Sequence, residues 1–164
     1  MYYFELLEEL HKNGIRYLIV GGLAVNLYGV PRVTQDIDII VAMERENILK
    51  LNTVLKKLGY KPRLPVNPDD KIVEDWVANK NLKAFSFYHQ IENYKVVDIV
   101  LVHQLDFEVV FKNKSVKKAK NIDIYLVSID DLIQMKKDSG RSQDLSDVKM
   151  LEKVKRYLGG NNNG

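Results

Sequence analysis

Three short stretches hold residues whose types and spacing suit phosphate and metal chemistry. The first is Asp36-Ile37-Asp38, running into Ile39, Ile40 and Val41. Alternation along a strand sends both carboxylates to one face and Ile37, Ile39 and Val41 to the other. Two anions side by side on a half-buried surface are costly unless a cation joins them. Hard oxygen ligands suit Mg²⁺, which commonly takes one or two carboxylates together with phosphate oxygens. The plainer alternative is the solvated face of an edge strand, where charge discourages aggregation.

The second stretch is Gly21-Gly22, after the apolar run Tyr17-Leu-Ile-Val20 and before the apolar residues of a short helix. Glycines there let a backbone pass close to a phosphate, and free N–H groups at a helix start attract anions. A glycine pair in that place also serves as an ordinary tight turn. The third is Asp98, within Lys95-Val-Val-Asp-Ile-Val-Leu-Val. A carboxylate in so apolar a strand needs a partner. Lys95 is one candidate. If the strand lies beside residues 36–42, Asp98 instead completes a three-carboxylate cluster able to hold two metals, and becomes the acceptor for a hydroxyl proton.

Periodicity sets out the elements that must position these residues. Phe4, Leu6, Leu7 and Leu10 predict a helix over 3–12, and residues 16–20 a buried strand. A short helix over 23–28 and a strand over 36–42 follow. Ile48, Leu49, Leu51, Leu55 and Leu58 mark a helix over 44–58. Pro62, Pro65 and Pro68 make the next stretch irregular, with a short helix over 69–80. Phe85 and Phe87 open a strand that pairs with 95–102 across a turn at 91–94. A further hairpin is predicted from 109–118 and 122–127. Ser128-Ile-Asp-Asp131 reads as a capping-box variant opening a helix through Lys137. Residues 140–142 break it, and a last helix to 158 carries Leu145, Val148, Leu151 and Val154 on one face.

The whole is one α+β or α/β domain over 1–158, with a mixed sheet of about five strands flanked by helices, and a polar tail over 159–164. Its 164 residues suit a single core, and 46% apolar with 29% charged side chains is ordinary for a globular chain. The absence of cysteine excludes disulfides and thiolate metal sites. No apolar run approaches the roughly 20 residues that span a bilayer. Glu5, Glu8 and Glu9 do not fit a signal peptide, so a cytoplasmic setting and no membrane are expected. The formal charge of +3 permits an anionic ligand without naming one.

In combination, these motifs resemble the nucleotidyltransferase fold of the DNA polymerase beta superfamily, which implies an α+β (α/β sandwich) architecture whose mixed sheet of about five strands is mainly antiparallel. Val20-Gly21-Gly22, thirteen further residues, Asp36-Ile-Asp38-Ile and a later strand aspartate follow its order. Gly29-Val-Pro-Arg32-Val-Thr34-Gln-Asp36 is similar to a branch of small bacterial and archaeal members that includes toxin-like, abortive-infection nucleotidyltransferases. Short antibiotic-modifying nucleotidyltransferases share the outline. Lys136, followed by Arg141-Ser-Gln-Asp144-Leu-Ser-Asp147, also matches that branch, so the resemblance spans about residues 16–155.

The resemblance implies transfer of a nucleoside monophosphate from an NTP, ATP among them, to an acceptor hydroxyl, with Mg²⁺ or Mn²⁺ as cofactor. Gly21 and Gly22 would cradle the triphosphate. Asp36 and Asp38 would bind metal, and Asp98 would be third ligand or general base. Lys136 would reach phosphate or nucleotide, against the alternative of a solvent-facing helix lysine. Arg32 and Thr34 would bind phosphate or brace their loop. Arg141 and Asp144, with Asp147, would form an ion-pair network that orients Lys136.

The acceptor is an RNA end such as tRNA, a protein or a small molecule. Toxin-like members are generally longer, so a partner protein or homo-oligomer is expected to supply missing acceptor surface. The competing readings are a non-catalytic, antitoxin-type binding module on the same fold and an antibiotic nucleotidyltransferase. His11, His89 and His103 lack zinc-ligand spacing, and Trp76 reads as packing. The basic run Lys112, Lys114, Lys117, Lys118 and Lys120 reads as a solvated face, or as an RNA contact.

Overall fold

The structure is a computed structural model that describes residues 3–64, 83–102 and 105–160. The helix expected over 69–80, Pro65, Pro68, Trp76, His103 and residues 161–164 of the tail lie outside the described residues. Helix α1 (Tyr3–Lys12) buries Leu6, Leu7 and Leu10 and leads into β1 (Tyr17–Val20), which is buried along its whole length. There follow α2 (Gly21–Leu27), β2 (Ile37–Val41) and α3 (Arg45–Lys57). Next come β3 (Tyr60–Pro62), β4 (Ala84–His89) and β5 (Val96–Val100). The chain continues through α4 (Phe107–Lys112), β6 (Ser115–Ala119) and β7 (Ile122–Leu126). It closes with α5 (Ile129–Ser139) and α6 (Ser142–Gly160).

The strands form one sheet in the order β3-β4-β5-β2-β1-β7-β6. Only β1 with β7 and β2 with β5 run parallel; the other neighbours are antiparallel. The sheet is thus mixed and mainly antiparallel, as expected, with seven strands rather than about five. The strand that periodicity did not announce is β3, at an edge, where the missing N–H of Pro62 is tolerated because one side of the strand has no ladder partner. Ile37, Ile39, Phe85, Phe87, Val97 and Ile99 are buried in the core, and α1 and α3 touch each other within it. None of the described helices is long and apolar enough to cross a membrane.

Two local expectations are corrected. Residues 109–112 belong to α4, not to a strand: the Asp106 carboxylate accepts from the backbone N–H groups of Glu108 and Val109 (3.0 and 3.4 Å). That N-cap stabilises a turn of helix that apolar residues alone did not announce. In α6, Leu145 is 46% exposed. The buried stripe is Asp144, Asp147, Val148 and Leu151, with Val154 half-buried, so an aspartate holds the place expected for a leucine. The Ser128 cap is present: its hydroxyl accepts from Asp131 N (3.1 Å) and donates to the Asp131 carboxylate (2.9 Å).

Candidate active site

Register across the sheet builds the acidic side of the site. Parallel pairing of β2 with β5 sets Asp38 opposite Asp98, and antiparallel pairing of β4 with β5 sets Ser86 opposite Asp98. Val20, the last residue of β1, stands opposite Asp38 on its other side. Side chains paired across neighbouring strands share a face and stand about 5 Å apart. Asp38, Asp98 and Ser86 therefore form a row. Asp36 lies just before β2, on the same side by alternation.

Nothing basic sits directly in that row. Lys95, the partner considered for Asp98, instead pairs with Glu92. The Ser86 hydroxyl donates to Asp98 Oδ1 at 2.5 Å. Burial, and then the neighbouring Asp98 and Asp36 charges, push the Asp38 carboxyl up to about 6, despite the opposing effect of Lys136 and Arg32. Burial and Asp98 also raise the Asp36 carboxyl, against the charge of Arg63.

Among the described residues, no three carboxylate or imidazole side chains are grouped tightly enough to hold a metal ion by themselves. The donor set still suits a hard divalent cation: two register-paired carboxylates with a third close by, two of them, Asp38 and Asp36, raised by burial and then by their neighbours' negative charge. Mg²⁺ characteristically completes such a set with water or phosphate oxygens.

The glycine pair is the start of α2 itself rather than a turn before it. Gly21 has φ +65°, and a Cβ there would lie 2.1 Å from Asp38 Oδ2. Backbone conformation and the neighbouring carboxylate each require glycine at this position. A Cβ on Gly22 would lie 2.8 Å from Thr34 Oγ1 and 3.4 Å from Arg32 Cζ. The glycines thus make room for the chain's own side chains: Asp38 over the first, and the loop bearing Arg32 and Thr34 over the second. Thr34 Oγ1 donates to the Asp36 carbonyl at 3.3 Å, bracing the approach to β2.

The basic side is a network carried by α5, α6 and the Arg32 loop. Lys136 is only 6% exposed, which rules out a solvent-facing lysine. Its Nζ lies 2.8 Å from Asp144 Oδ1 and 3.0 Å from Asp147 Oδ2. Arg32 Nη1 reaches the same Asp147 oxygen at 2.6 Å, and Arg141 Nε reaches Asp144 Oδ2 at 2.8 Å. Ser139 donates to Asp144 at 2.5 Å. Burial alone would raise the Asp144 carboxyl, but hydrogen bonds from Lys136, Ser139 and Arg141 hold it far below the usual carboxylate range. A buried pair is tolerated when its polar atoms are satisfied in this way.

The two sides meet at a pocket of about 200 Å³ whose lining includes Gly21, Asp38, Lys136, Arg141 and Asp144. Arg32 and Thr34 stand at the glycine start, and Asp98 stands beside Asp38. The residues singled out for phosphate and metal chemistry are therefore gathered at one end of the sheet, around a cleft with the sheet carboxylates on one wall and cations on the other. Such a cleft can take a polyanion only where the carboxylates are also neutralised.

Sequence reasoning missed Ser86 and Arg63. The alternation Phe85-Ser86-Phe87 was a usable signal, because it places Ser86 on the face opposite two core phenylalanines. Arg63 carried no signal, since its effect on Asp36 arises only from the pairing of β3 with β4. The remaining candidates lie elsewhere. His89 Nδ1 accepts from Glu92 N at 3.0 Å, and its ring meets Tyr60 edge-on. His11 is at the end of α1. Lys118 pairs with Asp123, while Lys114, Lys117 and Lys120 stand over aromatic rings.

Solved structures with this fold include the lincosamide antibiotic adenylyltransferase LnuA bound to lincomycin, at 20% identity and a TM-score of 0.60. That match covers 92% of this chain and 94% of LnuA. ANT(2")-Ia in complex with adenylyl-2"-tobramycin is 14% identical with a TM-score of 0.58, over 94% of this chain and 91% of that one. An antigenic nucleotidyltransferase-like protein from Paracoccidioides brasiliensis is 17% identical with a TM-score of 0.56, over 89% and 71%. At these identities the likeness establishes the nucleotidyltransferase fold. No curated protein matches the chain in sequence. The profile of the family described as nucleotidyltransferase of unknown function (DUF6036) matches residues 2–156, and the chain belongs to that family.

Proposed function

We propose that the protein is a Mg²⁺- or Mn²⁺-dependent nucleotidyltransferase that moves a nucleoside monophosphate from an NTP to an acceptor hydroxyl and releases pyrophosphate. The observation that carries this reading is the pairing of Asp38 with Asp98 beside a pocket that Lys136 and Arg141 also line. Asp36, Asp38 and Asp98 would hold the divalent cation, which when bound supplies positive charge at the triphosphate and the reacting oxygens.

The chain's own residues would do the rest. Gly21 and Gly22 let Asp38 and the loop bearing Arg32 and Thr34 close on the start of α2, beside which the triphosphate would lie. Lys136, Arg141 and Arg32 complement the phosphate charge, with Asp144 and Asp147 setting their positions. Asp98 takes the proton of the acceptor hydroxyl as its oxygen attacks the α-phosphorus. The bond from that phosphorus to the bridging oxygen breaks, and pyrophosphate leaves with the electron pair. Positioning and electrostatics carry most of the catalysis in phosphoryl chemistry of this kind.

For the acceptor, a small-molecule hydroxyl is favoured by one observation: the chain matches 94% of LnuA, a lincosamide adenylyltransferase of nearly the same extent. An RNA end or a protein side chain would need additional contact surface, from a partner protein or a second copy.

The deciding experiment incubates the protein with each α-labelled NTP, Mg²⁺ or Mn²⁺, and separate pools of lincosamides, aminoglycosides, tRNA and cell protein. Label should move to one pool, stop with chelator, and be lost in Asp38→Ala. No transfer to any pool, together with no metal-dependent NTP binding, would overturn the enzymatic reading in favour of a binding module. Transfer that survives Asp38→Ala would move the site elsewhere.

A further inference from the structure

We infer that Ser86 is a positioning residue that sets the orientation of the Asp98 carboxylate, an inference that rests on the proposed nucleotidyl transfer. Strand β4 alternates between two environments. Phe85 and Phe87 are buried in the core, while Ala84, Ser86 and Tyr88 are only half-buried on the face that carries Asp98. Antiparallel register sets Ser86 directly opposite Asp98, and its hydroxyl donates to Oδ1 at 2.5 Å. Among the described residues this is the hydrogen bond that the Asp98 side chain receives, and Oδ2 has no partner.

A carboxylate on a strand can rotate about its last side-chain bond, a broad and soft torsion. Beside Asp38 that freedom matters, because repulsion between the two anions would turn Asp98 away. An anchor on Oδ1 from the far side opposes the turn and leaves Oδ2 as the oxygen open to a cation or an acceptor hydroxyl. The donor is uncharged. It therefore fixes geometry without neutralising Asp98, which an arginine or lysine at position 86 would do. Hydroxyl donors to an ionised carboxylate are among the stronger side-chain hydrogen bonds. The Ser86 hydroxyl is turned to Asp98, so it acts through that carboxylate.

The test compares wild-type protein with Ser86→Ala and Ser86→Thr by three readouts: kcat and KM for the NTP in label transfer, Mn²⁺ affinity by electron paramagnetic resonance without NTP, and thermal melting. Ser86→Ala should lower kcat about ten- to thirtyfold, the loss expected for one hydrogen bond to a charged group. KM for the NTP should stay within about twofold, since the phosphate-facing residues lie on other elements, and Mn²⁺ binding should weaken several-fold. Thr keeps the hydroxyl and should restore both within about threefold, with melting temperatures nearly unchanged throughout.

Wild-type kcat and Mn²⁺ affinity in Ser86→Ala would overturn the inference, as would Thr no better than Ala at an unchanged melting temperature. If wild-type protein transfers no label, the functional reading fails separately, and the ranking of Mn²⁺ affinities still decides the role of Ser86. Equal Mn²⁺ affinity in the three proteins would then overturn it.

Discussion

The sheet wall and the helix wall of the pocket are both built on aspartates, yet they treat negative charge in opposite ways. On the sheet, Asp38 is half-buried beside Asp98 and Asp36, and its carboxyl is pushed up to about 6. On the helices, Asp144 is 1% exposed and Asp147 3%, more deeply buried than Asp38, but Asp144 is held well below its ordinary range. Burial raises both groups. The difference lies in the neighbours: other carboxylates in one case, Lys136, Ser139 and Arg141 in the other. The site leaves charge unmatched on one wall and satisfies it on the other, and under the proposed function the first is where a cation would sit. The second is already complete as structure.

The contrast is tested most severely at Lys136. Lys136→Met should leave Asp144 and Asp147 buried with part of their compensation gone, costing about 3–5 kcal/mol. A shift of that size lowers the melting temperature of a chain this long by roughly 10 °C or more, read by calorimetry. A melting temperature unchanged by Lys136→Met would mean that the helix wall is not a structural network.

Asp38→Asn should behave in the reverse manner. Activity should fall by about a hundredfold or more in the label-transfer assay. Stability without metal should hold or rise, because the substitution removes a repelled, half-buried charge. A large loss of stability in Asp38→Asn would erase the distinction between the walls.

The walls should also respond to pH with opposite sign. Asp38 holds its proton more tightly folded than unfolded, so the folded state binds more protons between about pH 4 and 6. Metal-free stability should therefore fall as pH rises through that window, by about 3 kcal/mol from this group. Asp144 holds its proton less tightly folded than unfolded. Its contribution is present above the ordinary carboxylate range and is lost as pH falls below about 4. Denaturant melts across pH 3 to 7, in chelator and then in excess Mg²⁺, separate the two. Mg²⁺ should remove the decline between pH 4 and 6 and leave the acid limb, and a decline that persists in Asp38→Asn would assign it to another group.

The smallest effect is expected far from either wall. Lys118 and Asp123 form an exposed pair on the β6–β7 hairpin. Lys118→Ala should leave both melting temperature and label transfer within experimental error, since exposed pairs contribute little. A drop in transfer to tRNA alone would connect the hairpin's basic run to an RNA acceptor.

Much of the site was legible because its residues violate local rules. Asp98 interrupts an apolar strand, Asp36-x-Asp38 sets two anions on one strand face, and Gly21-Gly22 interrupts the passage from strand to helix. Each is costly without a purpose, and each is visible without coordinates. Lys136 was harder: in a helix with Lys137 beside it, only the tertiary environment separates a buried lysine from a solvated one. Asp144 and Asp147 had a signal that was underread, since they continue the Val148–Leu151 stripe toward the helix start. Leu145 fits that stripe by residue type alone, because apolar residues are its usual occupants. Residues 109–112 failed for the opposite reason, as the cap at Asp106 outweighed a pattern that reads equally well as strand.

What the sequence by itself determined was the inventory and its order: which residues are costly, where alternation points them, and which family they resemble. Periodicity and burial cost act over a few neighbouring residues, so they can be read from the chain. What only the tertiary structure decided was which costs cancel. Asp98 lies beside Asp38 and Ser86 because β5 runs parallel to β2 and antiparallel to β4, and Lys136 is buried because α6 folds back on α5. Electrostatic energy depends on distances of a few ångströms between residues more than a hundred positions apart, as Arg32 and Asp147 are. Only the assembled sheet and helices set those distances.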